Sequence, residues 1–170
     1  MDDIKNRLTD FKYNFLSKMK EYLDTDLFFY GSIKRADYFE SNSDIDIAIL
    51  TDNPSSMLAK IKNYLNIKNR KIRKIYQTFN NYPSLIDGYK LTYKDDENNW
   101  GFDLVIYNEK YRDIVIKDIF YINNLPFYIT SLLYILKFLY YKLNLISKSI
   151  FLEAKTRLFS LVLNKQSAIL

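Results

Sequence analysis

FFYGSIKRADYFESNSDIDIAIL, residues 28–50, decides the fold. With Leu27 before them, the apolar residues up to Tyr30 predict a short buried strand. Gly31 and Ser32 break it, and glycine is the residue wanted where backbone must come close to a ligand. After a polar connection, Asp44-Ile45-Asp46-Ile47-Ala48-Ile49-Leu50 alternates with period two. In a strand, that period puts Asp44 and Asp46 on one face and Ile45, Ile47 and Ile49 on the other. Two carboxylates on one strand face cannot meet a core uncompensated, because buried ionised groups need a partner. A divalent cation is one such partner, and carboxylate oxygens are the donors Mg²⁺ prefers.

Downstream, Asp52 or Asn53 caps a helix with Pro54 at its first position; Met57, Leu58, Ile61 and Leu65 mark its buried stripe, and it ends near Asn66. Residues 71–79 and 85–93 read as two strands, joined by a turn over Asn80, Asn81, Tyr82, Pro83 and Ser84. Residues 95–99 form a polar turn and residues 100–107 a further strand. In that strand Phe102, Leu104 and Ile106 share one face, Asp103 and Val105 the other. A single Asp in an otherwise apolar strand is an anomaly that an edge position or a salt bridge would also explain.

Residues 111–117 read as a helix and 118–122 as a short strand, with ambiguous periodicity. Ile129, Leu132, Leu133, Leu136, Leu139 and Leu143 mark a clearer helix. Ser147 or Ser149 caps a last one with Ile150, Phe151, Ala154, Leu158, Leu161 and Val162 inward, making a helical hairpin. Upstream, Ile4, Leu8, Phe11, Phe15, Met19 and Tyr22 predict one helix ending by Asp24, with Asp2 and Asp3 at the favourable end of its dipole.

The 170 residues suit a single domain with a real core, and a hydrophobic share of 48% rules out intrinsic disorder. With no Cys and no His, disulfides, thiolate chemistry and zinc sites built on those residues are excluded. Metal chemistry here means oxygen ligands, and proton transfer must use carboxylates, Lys, Tyr or water. The net charge of +5 is a modest bias toward phosphate-bearing partners. Residues 53–86 hold seven basic residues (Lys60, Lys62, Lys68, Arg70, Lys71, Arg73, Lys74) and no acid. Such a run reads as an edge strand kept soluble by charge or as a rim for phosphates or RNA. The uncharged stretch 119–136 holds Asn123, Asn124 and Pro126, which argues against a membrane span, and the acidic, amphipathic N-terminus argues against a signal peptide; a cytoplasmic chain is expected. Neither a P-loop nor a dinucleotide fingerprint is present.

Gly31-Ser32, a spacer with Arg35, and Ser43-Asp44-x-Asp46 resemble the motif of the DNA polymerase β-like nucleotidyltransferase superfamily, with Lys34 and Ala36 departing from the residues common in its small members. The resemblance covers residues 27–123. It implies an α+β fold, a mixed sheet like the polymerase β palm with flanking helices, as a catalytic domain over 1–124 and a C-terminal helical extension over 125–170 packed on it. It assigns Asp44, Asp46 and Asp103 as ligands of two Mg²⁺ ions, or Mn²⁺, and as the catalytic residues; Asp95, Asp96 and Glu97 compete for the third place from a turn that positions ligands poorly. Gly31 and Ser32 would hold the β- and γ-phosphates of a nucleoside triphosphate, with Lys34, Arg35 and Ser43 also on the nucleotide, and a short helix over 33–37 would aim its amides there. The implied reaction moves a nucleoside monophosphate, AMP by preference from ATP, to a hydroxyl on a protein or RNA, with pyrophosphate leaving. A toxin partner or a homodimer would complete the acceptor side. Lys155, Arg157 and Lys165 on the last helix either face an acceptor or, the preferred reading, form a solvated face. The alternatives are an inactive nucleotide-sensing or partner-binding, antitoxin-like domain, and an RNA-binding protein using residues 60–74.

Overall fold

The structure, a computed structural model, describes residues 1–67, 72–79, 82–163 and 167–168. Its centre is a mixed sheet built from β1 (Phe28–Tyr30), β2 (Ile45–Thr51), β3 (Ile72–Phe79), β4 (Tyr82–Asp95), β5 (Trp100–Asn108) and the two-residue β6 (Ser167–Ala168). The strand order is β1-β2-β5-β4-β3-β6, with β2 and β5 parallel and every other neighbouring pair antiparallel. The parallel pair needs a long crossover, which α2 (Pro54–Leu65), β3 and β4 supply. This is the expected α+β fold with a mixed sheet, flanking helices and C-terminal helices.

Alternation along β2 and β5 sorts the two faces. Ile45, Ile47, Ile49, Phe102, Leu104 and Ile106 are buried in one core with Leu16, Met19 and Leu23 of α1 (Asp10–Leu23) and Met57, Ile61 and Leu65 of α2. Leu50, Val105 and Tyr107 point the other way, into a smaller core with Val115 of α3 (Arg112–Asn123). The faces of Asp46 and Asp103 are therefore set by the burial of their neighbours; a one-residue slip would bury both carboxylates under α1 and α2.

Several expected boundaries are corrected. The single N-terminal helix is a 3-10 segment, Asp2–Arg7, followed by α1; Thr9 separates them as N-cap, its hydroxyl accepting from the Lys12 amide. Of the expected stripe, Phe11 and Tyr22 are half exposed, while Leu16 and Leu23 are buried instead. The short helix over 33–37 is a 3-10 turn, Gly31–Lys34. Strand β4 begins at Tyr82, so Tyr82 and Ser84 belong to it rather than to a turn; Asn80 and Asn81 lie outside the described residues. The strand expected over 118–122 is the second half of α3, which packs its Val115 on the sheet. Helix α2, capped by Asn53 with Pro54 at its first turn and ending at a left-handed Asn66, is as expected.

The C-terminal helices are α4 (Phe127–Tyr141) and α5 (Lys148–Ser160), the latter capped by Ser147. The stripe of α4 that turns inward is Ile129, Leu133 and Lys137; Leu132 and Leu143 are exposed, against expectation, as are Ile150 and Leu161 in and after α5. Among the described residues no single helix is long and apolar enough to cross a membrane. The uncharged stretch 119–136 is split between α3 and α4, whose segments Glu109–Asn123 and Phe127–Tyr141 meet at 70°. Of the basic run, Lys60, Arg73 and Lys74 are exposed and Lys74 pairs with Asp87 at 3.4 Å; Lys68, Arg70 and Lys71 lie outside the described residues.

Candidate active site

The Gly-Ser turn and the acidic strand start meet at one point of the sheet. Tyr30 pairs with Asp46 across β1 and β2, and Asp46 lies directly opposite Asp103 across β2 and β5. Gly31 follows with φ at +77°, a conformation that side chains strongly disfavour. A Cβ on Gly31 would stand 2.4 Å from Asp46 Oδ2. Glycine is thus required twice, once for the backbone angle and once for the carboxylate beside it.

The turn is held from below by Asn123 at the end of α3. Gly31 N–H donates to Asn123 Oδ1 at 3.0 Å, and Asn123 Nδ2 donates to Phe29 O at 3.3 Å. One side-chain amide therefore does for β1 what another strand would do for its open edge. The Gly31 amide is engaged by Asn123 here, which leaves the buried Ser32 as the other member of the pair assigned to phosphate.

The three carboxylates differ in setting. Asp44 is the most exposed, and its pKa is raised by partial burial and by the charge of Asp103. Asp46 is pushed up to about 6, first by burial and then by Asp103 and Asp44, with Lys155 and Lys90 offsetting part of that rise. Asp103 accepts from Thr92 Oγ1 at 2.6 Å and pairs with Lys90 Nζ at 2.6 Å. Lys90 and Thr92 stand on β4 beside it, Thr92 in direct register. Among the described residues no group of three acids is gathered as a metal-holding set. The donor chemistry nonetheless suits a hard cation: three carboxylates whose mutual repulsion a divalent ion would relieve, with no Cys or His in the chain to favour a softer metal.

Arg35 has a structural setting. Its guanidinium donates to both carboxylate oxygens of Asp37 at 2.8 and 3.1 Å and to Ile122 O at 3.0 Å. Lys137 of α4 reaches the same Asp37, donating to its backbone oxygen at 2.8 Å and pairing with its carboxylate at 3.1 Å. All three are buried, and three buried charges are tolerable because each is hydrogen-bonded. The cluster pins the β1–β2 connection to the end of α3 and to α4. Ser43 joins it: its hydroxyl accepts from Phe39 N at 3.2 Å and from Lys137 Nζ at 3.3 Å. Lys34, at the end of the 3-10 turn, is half buried.

A cleft of about 470 Å³ opens over the turn, lined by Gly31, Ser32, Arg35 and Asp46 below and by Lys137, Lys155 and Phe159 of the C-terminal helices above. Lys155 is thus turned to the acidic strand rather than to a solvated face; Arg157 stays exposed and pairs with Glu153, and Lys165 lies outside the described residues. Asn123, Lys90 and Lys137 are not among the expected site residues, and Lys155 was expected on a solvated face by preference. For Lys137 a signal existed: it continues the four-residue spacing of Ile129 and Leu133 onto the buried face. For Lys155 and Asn123 no local pattern tells a cleft-facing residue from a solvated one.

Residues 12–128 match the family described as nucleotidyltransferase domain. No curated protein and no solved structure matches the chain.

Proposed function

Because the chain belongs to the nucleotidyltransferase domain family, whose members are transferases that act on nucleoside triphosphates and generally use divalent metals, we propose that it moves a nucleoside monophosphate, AMP by preference, to a hydroxyl on a macromolecular acceptor. The observation that carries this reading is the register: Asp46 opposite Asp103, with the positive-φ Gly31 against the Asp46 carboxylate. Asp44, Asp46 and Asp103 would hold two Mg²⁺ ions, or Mn²⁺. Bound there, the ions would acidify the attacking hydroxyl and neutralise charge on the phosphoryl group. Ser32 and the cation Lys155 line the cleft where a triphosphate would sit, while Arg35 and Lys137, paired with Asp37, hold its floor. The acceptor oxygen forms a bond to the α-phosphorus as the bond to the bridging oxygen breaks, and pyrophosphate leaves with that electron pair. The hydroxyl proton passes to Asp103. We also propose that the helices after residue 124 belong to the catalytic unit, since Lys155 acts on Asp46.

One observation favours a second reading, an inactive nucleotide-sensing or partner-binding domain: Lys90 Nζ sits 2.6 Å from Asp103 Oδ2. Incubation with each α-³²P-labelled nucleoside triphosphate and Mg²⁺, with and without RNA and cell lysate, separates the two. Label on a protein or RNA, strongest with ATP and absent from Asp44→Ala/Asp46→Ala, is the expected result. Nucleotide binding without label on any acceptor would favour the sensing domain.

A further inference from the structure

Helix α4 is apolar on both faces. Its sequence, FYITSLLYILKFLYY, holds one charged residue, Lys137, which is buried against Asp37. Ile129 and Leu133 fill the inward face beside it. The outward face exposes Phe127 (86%), Tyr128 (61%), and Leu132, Tyr134, Ile135 and Phe138 at between 40% and 53%. A helix that is hydrophobic all round is ordinarily buried all round. The outer face of α4 thus has the composition of an interior.

Its residues also have the spacing of a packing seam. Phe127 and Tyr134, Tyr128 and Ile135, and Ser131 and Phe138 each stand seven apart. A repeat of seven keeps one stripe of a helix facing a neighbouring helix. Phe39 borders the stripe at Tyr134, with ring centroids 5.1 Å apart. At roughly 200 Å² per aromatic side chain, the exposed parts of the four rings alone come to about 450 Å². Each side of a stable interface contributes roughly 800 Å², of which about 60% is apolar. With Leu132 and Ile135 added, the stripe supplies that apolar share, and a monomer seldom leaves so much of it in water.

We propose that this face is a two-fold interface, through which two copies of the chain pair with their α4 helices antiparallel. The inference does not depend on the transferase reading. The stripe carries no charge for a differently charged partner to read, and a two-fold axis sets the same apolar patch against itself. Antiparallel packing brings opposite ends of the two helix dipoles together. It also lays the exposed Lys142, just past the end of α4, against the uncharged start of the other helix instead of against a second Lys142. A membrane surface suits the stripe less well. Helices that lie among headgroups carry Lys or Arg on the polar face, whereas the one cation within α4 is turned into the protein.

The test uses the full chain. Sedimentation equilibrium at micromolar concentration should give twice the mass of one chain, and Tm should rise with concentration. Phe127→Glu/Ile135→Glu, at two exposed positions away from the site, should raise the dissociation constant of the dimer at least about a hundredfold. Its far-ultraviolet circular dichroism should match that of the natural chain. Because the chain has no cysteine, single cysteines report the arrangement. Ser131→Cys, near the middle of the stripe, should form an intermolecular disulfide on mild oxidation. Phe127→Cys should not, since antiparallel helices hold its two copies about 16 Å apart. A chain still monomeric at about 100 µM, a dimer that survives the double variant, or equal cross-linking of the two cysteines would overturn the interface. A monomer that floats with phosphatidylcholine/phosphatidylserine vesicles would overturn it in favour of a membrane.

Discussion

Gly31→Ala is expected to abolish transfer and to destabilise the chain. The added methyl would stand 2.4 Å from Asp46 Oδ2, far inside contact distance, at a residue whose φ is +77°. An Ala there costs about 1–2 kcal/mol for the left-handed backbone alone. Relief of the clash must move either the Asp46 carboxylate or the turn that Asn123 holds. Either shift approaches 1 Å, and a misplacement of that size costs on the order of a hundredfold in rate. Turnover with ATP should fall at least about a hundredfold, and thermal unfolding should show a lower Tm. Unchanged turnover would mean that the Gly31–Asp46 contact does not set the site.

Asp46→Asn should separate stability from activity. In the folded chain the Asp46 carboxyl is raised to about 6, mainly by burial, whereas in the unfolded chain it returns to its ordinary 3.8. Between those values the folded state binds more protons than the unfolded one, so stability rises as pH falls. The cost is fully present above about pH 6 and shrinks toward pH 4. A two-unit difference corresponds to about 3 kcal/mol, part of which the amide gives back through its own desolvation. At pH 7.5, Asp46→Asn should therefore be about 1–3 kcal/mol more stable than the natural chain. The gap should narrow at pH 5, as read by denaturant unfolding at the two pH values. Transfer should fall at least about a hundredfold, and the natural chain's own activity should decline as pH drops through about 6. A variant less stable at pH 7.5 would contradict the account of Asp46 as a carboxylate held at a cost for function.

The sequence made the centre of this site legible because its signals are local. The alternation of residues 44–50 set the faces of β2, and Asp103 stood out as the one acid in an apolar strand. Gly31 announced a close approach, though not that the approached group would be Asp46 itself. Helix α3 was half misread because Ile119, Phe120, Tyr121 and Ile122 suit a strand as well as a helix; in the structure they continue the helix that packs Val115 beneath the sheet. Arg35 looked like a phosphate ligand, and the structure gives it to Asp37, a partner two residues away whose burial depends on Lys137 a hundred residues later. Lys155 and Asn123 reach the site only through tertiary packing of helices remote in sequence, and no spacing rule encodes that.

Asp44 and Asp46, with Gly31 and Ser32, are proposed to form a metal-dependent nucleotide site. Equilibrium binding of ATP in Mn²⁺ and in EDTA, for the natural chain and for Asp44→Ala/Asp46→Ala, tests it most directly. Binding should need the metal and be lost in the double variant. Binding of equal strength in EDTA, or binding that survives in the double variant, would contradict it.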